Sequence, residues 1–163
     1  MDVNYKIRQL SNTFYSKYNK KSYPEILSKS DRPYNILLIE YSNLIYIGLP
    51  FRSNMKHTNG FHFKQSSRDQ AKNPGLDYSK MVIINNYEYI GKPSTVDSQE
   101  FNEMLNNINK IIREARNYII NYENHVTGKK TLHSRAYERK YKMSTLPYFH
   151  EELGLNKNNS AKQ

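Results

Sequence analysis

From Tyr34 to Tyr41 the chain is almost continuously apolar, with Ile36-Leu37-Leu38-Ile39 at its centre. A strand covered on both faces reads this way. Ser42-Asn43 turns the chain into a second run, Leu44–Leu49, with Asn43 supplying the tolerance for a positive φ that a tight hairpin needs, and Pro50 ends that strand. Phe61-His62-Phe63-Lys64 is a further strand-like burst. Lys80–Asn85 and Glu88–Gly91 predict another hairpin across Asn85-Asn86-Tyr87. Near the start the pattern is two-sided. Val3, Ile7, Leu10 and Phe14 recur at helical spacing, while Tyr5, Ile7 and Gln9 alternate as a strand does. A short strand over Val3–Leu10 is favoured, with Ser11 capping a short helix that runs to about Tyr18.

Asp97 changes the period. Asp97-Ser98-Gln99-Glu100 has the form of a capping box, and behind it Phe101, Leu105, Ile108, Ile112, Ala115, Ile119 and Tyr122 return every three or four residues. This predicts one long amphipathic helix reaching about Asn124, broken by Gly128. Leu132–Met143 reads as helical, and Ser144-Thr145-Leu146-Pro147 opens a last short helix that stops at Gly154. The sum is an α+β fold: a small, strongly bent antiparallel sheet, a partly open barrel, with a long helix and further C-terminal helices. Residues 1–155 are expected to form a single domain, followed by a polar, disordered tail over 156–163.

Charge then narrows the function. The 163 residues hold 25 Lys and Arg against 15 acids, a formal +10, which favours a polyanionic partner through counterion release. The bases cluster: six against two acids in 1–30, six against two in 52–80 and six against one in 128–142, whereas 81–125 carries four against six. Fifteen tyrosines and six phenylalanines supply flat faces that stack on bases, although most aromatics in any domain are core. The absence of cysteine excludes disulfides, a thiolate nucleophile and a zinc finger. No run is long and apolar enough to cross a bilayer, and Met1 leads straight into Asp2-Val3-Asn4-Tyr5-Lys6, so a soluble cytoplasmic protein without a membrane partner is expected.

Three polar stretches interrupt the β region. Leu49-Pro50-Phe51-Arg52-Ser53-Asn54-Met55-Lys56-His57 offers a guanidinium, a hydroxyl, an amide, an amine and an imidazole. Phe63-Lys64-Gln65-Ser66-Ser67-Arg68 and Pro74-Gly75-Leu76-Asp77-Tyr78-Ser79-Lys80 are similarly furnished. Cutting RNA without a metal needs such groups. The ribose 2′-OH attacks its own phosphate, so the enzyme supplies cations and donors around the phosphorane and one or two proton-transfer groups. Arg52, Ser53, Lys56, Lys64 and Ser67 fit that list, since a lysine crowded by cations can act as a base, and His57 is a further acid or base by type. The five histidines show no metal-binding spacing and no Asp/Glu cluster has it, so neither a metal nor another cofactor is expected.

The same stretches carry a resemblance. Arg32-Pro33-Tyr34 leading into Ile36–Glu40, then Leu49-Pro50-Phe51-Arg52-Ser53-Asn54, Pro74–Lys80 and Ser144–Gly154 together resemble the toxins of type III toxin–antitoxin systems. The resemblance is closest to the CptN and TenpN branches of the ToxN/AbiQ-like endoribonucleases and runs from about Asn4 to Leu155. It implies a Kid- or MazF-like, SH3-type barrel with added helices. It also implies an endoribonuclease that prefers A-rich sites and leaves a 2′,3′-cyclic phosphate and a 5′-OH. The partner it implies is a repeat-encoded, pseudoknotted RNA antitoxin, which the toxin processes and which then fills its active-site groove in a closed protein–RNA assembly. Cellular or phage RNA would be the substrate, and phage defence by abortive infection the role.

On this resemblance Ser53 takes the place of the family's key serine and Lys56 lies close to its lysine. Arg32 replaces a lysine and Arg52 a hydroxyl residue. Arg is a poor general base, so a basic role shifts to Lys56, Lys64 or His57. Arg32, Asn54, Ser67, Asp77, Tyr78, Ser79 and Lys80 are expected to bind RNA. Arg135, Tyr137, Arg139, Lys140 and Lys142 are expected to contact the antitoxin, cations to phosphates and rings to unstacked bases. Plainer readings stand beside these: Arg52 as an ion-pair partner of Glu40, Asp77 and Ser79 as turn formers, and Arg135–Lys142 as a solvated helix face with tyrosines packed inward. The competing functions are a non-catalytic basic RNA-binding module and a purely structural domain.

Overall fold

A computed structural model describes residues 5–29 and 33–155. Arg32 and the tail 156–163 therefore lie outside the described residues, as does the start of the predicted first strand. In chain order the described strands are β1 (Tyr5–Leu10), β2 (Asn35–Ser42), β3 (Ile45–Arg52), β4 (Gly60–His62), β5 (Gly75–Asp77), β6 (Val82–Ile84) and β7 (Ile90–Pro93). They form an open antiparallel sheet in the order β4-β5-β3-β2-β1-β7, with β6 paired separately to β3. The fold is α+β. As its unbroken apolar run requires, β2 is central, and Ile36, Leu37, Leu38 and Ile39 are all buried.

The far edge of β3 is shared. β6 pairs with Tyr46–Gly48 and β5 with Phe51–Arg52. Pro50 does not end the strand as expected. It falls, with Leu49, in the gap where β3 changes partners, a place where a residue without an N–H is tolerated. The predicted hairpin over 80–91 is also absent. β6 takes the vacant edge of β3, a 3₁₀ turn at Tyr87–Tyr89 capped by the Asn86 side chain redirects the chain, and β7 pairs with β1 instead. At the β2–β3 turn Leu44, not Asn43, takes the left-handed φ of +63°.

Among the described residues four helices accompany the sheet: α1 (Asn12–Lys17), α2 (Ser98–Asn106), α3 (Ile108–Val126) and α4 (Ser134–Tyr141), with a 3₁₀ turn at Leu146–Phe149. Ser11 caps α1 by accepting the Phe14 N–H at 3.2 Å. The long helix read from the sequence is two helices. At Asn107 (φ −120°) the side-chain amide donates to the Glu103 carbonyl at 2.8 Å, a local bond that competes with the helical ladder. Met104, Ile111, Ala115 and Ile119 are buried on both sides of this break, which is why the apolar period carries through it. Gly128 adopts a positive φ just past the end of α3; the last short helix read up to Gly154 is instead the 3₁₀ turn over Leu146–Phe149 followed by turns, in which Gly154 also has a positive φ. Tyr118, Tyr122 and Tyr141 pack α3 on α4. Thr145 then ties the C-terminal turn to the β5–β6 corner through the carbonyls of Ser79 and Met81. Among the described residues no helix is long and apolar enough to cross a membrane.

Candidate active site

β3 ends at Arg52, and the loop behind it is held tightly. Asn73 receives the Met55 N–H on its carbonyl at 2.8 Å and donates its own N–H to the Ser53 carbonyl at 3.0 Å. The Asn73 side chain donates to Asn54 Oδ1 at 2.9 Å. Met55 is fully buried across Gly60 and Gly75, where a Cβ would come within 2.7 and 2.5 Å of its terminal methyl. Only glycine leaves room there, so the two short strands and the loop close on one thioether.

Strand alternation then separates neighbours at this corner. Arg52 turns toward Asp77 of β5, whereas Phe51 and Ser53 line a pocket on the other side. Asp77 is completely buried and is the hub of the first cluster. Its Oδ2 accepts from Arg52 Nη1 at 2.8 Å and His57 Nε2 at 3.0 Å, and its Oδ1 accepts from Ser79 Oγ at 2.6 Å. Burial pushes the Asp77 pKa up, but the hydrogen bonds from His57, Ser79 and Arg52 together outweigh it and hold the carboxyl below its ordinary value. The Asn59 N–H donates to His57 Nδ1 at 3.1 Å, which places the ring proton on Nε2, facing Asp77. Both imidazole nitrogens are thus occupied.

The second cluster centres on Arg68. Its Nε and Nη2 grip the carboxylate of buried Glu100 at 2.7 and 3.1 Å, and its Nη1 donates to Ser53 Oγ at 2.7 Å. Ser66 Oγ donates to the same carboxylate at 2.6 Å. Because Ser53 accepts from Arg68, its own proton is left to donate outward. Ser53, Arg68, Glu100 and Asp97 line an open pocket of about 340 Å³, together with Asn35 and Gln9. Asp97 caps α2 and accepts from the Ser67 hydroxyl and N–H, and the bond from Ser67 holds its pKa down. The arrangement presents a guanidinium and a hydroxyl donor to the pocket on a rigid mount, the equipment for holding a phosphate.

No family model, curated protein or solved structure matches the chain.

The remaining candidates scatter. Lys56 is exposed and makes no hydrogen bond or ion pair among the described residues. Lys64 gives its N–H to the Glu103 carboxylate while its side chain edges a separate open groove with Lys72 and Asn73. Tyr78 is buried, its hydroxyl donates to Glu114 at 2.9 Å, and burial together with that carboxylate pushes its pKa far up. Lys80 pairs with Glu25 and the Met143 carbonyl. Arg135 and Arg139 in α4 and Lys142 at its C-terminal end are exposed, but Tyr137 stacks on His125 at 4.1 Å. The Lys140 carbonyl accepts from Tyr118 and from Asn59, and the Arg139 carbonyl also accepts from Asn59. The α4 tyrosines thus serve docking of the helix, and its cations form the outer face. Arg52 pairs with Asp77 rather than Glu40.

Sequence reasoning left Arg68, Glu100 and Asn59 out of the site. For Glu100 a signal existed: an acid on the apolar side of an amphipathic helix, beside Phe101 and in line with Met104, needs a buried partner.

Proposed function

We propose that this chain is an endoribonuclease toxin of a type III toxin–antitoxin system, its sheet an SH3-like barrel of the Kid/MazF type. The observation that carries the reading is the Ser53–Arg68 pair on the wall of an open polar pocket. A scissile phosphate seated there meets the Ser53 hydroxyl and the two guanidinium N–H groups that Arg68 does not spend on Ser53 and Glu100. The 2′-oxygen attacks phosphorus, the bond to the 5′-oxygen breaks, and the products are a 2′,3′-cyclic phosphate and a 5′-OH. Lys56, exposed on the loop that carries Ser53, is the amine through which the proton leaving the 2′-OH and the one reaching the 5′-oxygen pass, since Lys64 edges a separate groove and both nitrogens of His57 are engaged. The substrate is cellular or phage RNA in the cytoplasm. A repeat-encoded RNA antitoxin, processed by the same site, blocks it in a closed assembly, and the exposed cations of α4 meet its phosphates.

One observation favours the non-catalytic RNA-binding module: no proton acceptor is hydrogen-bonded to Ser53 among the described residues. Expression tests the two readings. Wild-type chain arrests growth and Ser53→Ala does not, at equal levels of folded protein. Growth unaffected by the wild type favours the binding module.

A further inference from the structure

We propose that a second pocket, on the opposite face of β1 from Ser53 and Arg68, binds one nucleobase of a single-stranded nucleic acid together with its flanking phosphates. Alternation along β1 separates the sites: Gln9 lines the candidate active site, whereas Lys6 and Arg8 project from the other face. There they border a pocket of about 190 Å³ with Leu38, Tyr46, Tyr87 and Ile90. This is smaller than the roughly 300 Å³ at which pockets for drug-sized ligands begin, and suits a single flat ring system.

The chemistry of the walls selects the ligand. Tyr46 and Tyr87 stand with ring centroids 5.9 Å apart and their hydroxyls 3.3 Å apart. Tyr87 is 63% exposed, so its ring offers a face to solvent beside Tyr46. Leu38 and Ile90 add apolar contact. Lys6 and Arg8 make no ion pair among the described residues and, two residues apart on a strand, stand about 7 Å from each other, comparable to the step between successive phosphates. Glu40, paired in register with Tyr46, is exposed and bonded to neither base. Cations spaced like phosphates beside one exposed and one half-buried ring form a single-strand platform, in which stacking tolerates any base and charge tracks the backbone. The inference concerns binding alone and stands whether or not the chain cleaves RNA.

The test uses the full chain carrying Ser53→Ala, with fluorescence anisotropy of short labelled oligonucleotides at low salt. The probes are RNA and DNA strands of one sequence and an abasic strand of equal length. Tyr87→Ala is expected to weaken binding of the base-bearing strands by roughly tenfold or more, and of the abasic strand hardly at all. Lys6→Ala with Arg8→Ala weakens all of them and flattens the salt dependence, and Glu40→Gln tightens all of them. Either sugar bound through the pocket supports the proposal, and the ratio reports which it accepts. Tyr87 is exposed, so circular dichroism should match the parent. Oligonucleotide binding unchanged in both the tyrosine and the double variant overturns the proposal. So does self-association of the chain that Tyr87→Ala abolishes while oligonucleotide binding is untouched.

Discussion

Arg68 reaches back fifteen residues to donate from Nη1 to Ser53 Oγ at 2.7 Å, while Glu100 of α2 fixes the other side of its guanidinium. This contact joins the loop behind β3 to the start of α2 and sets the direction of the Ser53 proton. Loss of a single donor to a developing oxyanion typically costs about 10²–10³ in rate. Arg68→Ala is therefore expected to slow single-turnover RNA cleavage by that order. Arg68→Lys should recover little, because an ammonium cannot grip Glu100 with two donors and Ser53 with a third. Cleavage by Arg68→Lys at the wild-type rate would remove the fork from the mechanism.

Asp77 makes a prediction about pH. Its folded pKa lies below the ordinary carboxylate value near 3.9, so its ionised contacts stabilise the fold fully above that value and are lost as pH falls through the lowered one. Asp97, held down chiefly by Ser67, contributes to the same acid limb. Thermal melts between about pH 2 and 5 should show Tm rising with pH, and Asp77→Asn should reduce that slope without abolishing it. At neutral pH the same variant should lose about 1–3 kcal/mol, since Arg52 and His57 lose a charged acceptor.

Asn59 links two segments far apart in sequence. Its N–H fixes His57 and its side-chain amide holds the carbonyls of Arg139 and Lys140. Asn59→Ala is expected to raise amide hydrogen exchange across Ser134–Tyr141 before global unfolding, with the sheet protected as before. Uniform protection in both segments would show that the aromatic packing of α4 suffices alone.

Leu44 takes a left-handed conformation and leaves 63% of its surface in water. Such a conformation costs a side-chain-bearing residue roughly 1–2 kcal/mol, part of which glycine returns as unfolded-state entropy. Leu44→Gly should stabilise the fold by about 0.5–1 kcal/mol in denaturant titration, with an unchanged m-value.

The sequence disclosed elements wherever one local signal governed them. The apolar run of β2, the Ser11 cap and the positive-φ glycines at 128 and 154 follow from burial, capping and backbone freedom within a few residues. It misled where distant pairing decided. β6 joins β3 rather than its neighbour β7, and β3 passes through Pro50, because a third strand offers an edge that no local pattern reveals. The site was legible in the same measure. Ser53, Arg52 and Asp77 stand out as polar groups at strand ends, but strand alternation sends Arg52 and Ser53 to opposite sides. The partner that orients Ser53 comes from a loop residue held by a helix. Glu100 has the position of a capping-box acid, but its carboxylate anchors Arg68.

The most direct test is RNA cleavage in EDTA by protein freed of bound RNA through denaturation and refolding, with the ends of the products mapped for wild type and Ser53→Ala. The account predicts cuts ending in a 2′,3′-cyclic phosphate and a 5′-OH, lost in the variant although it still binds RNA. Intact RNA from refolded wild-type chain that binds it, or equal cleavage by both proteins, would contradict a ribonuclease centred on Ser53.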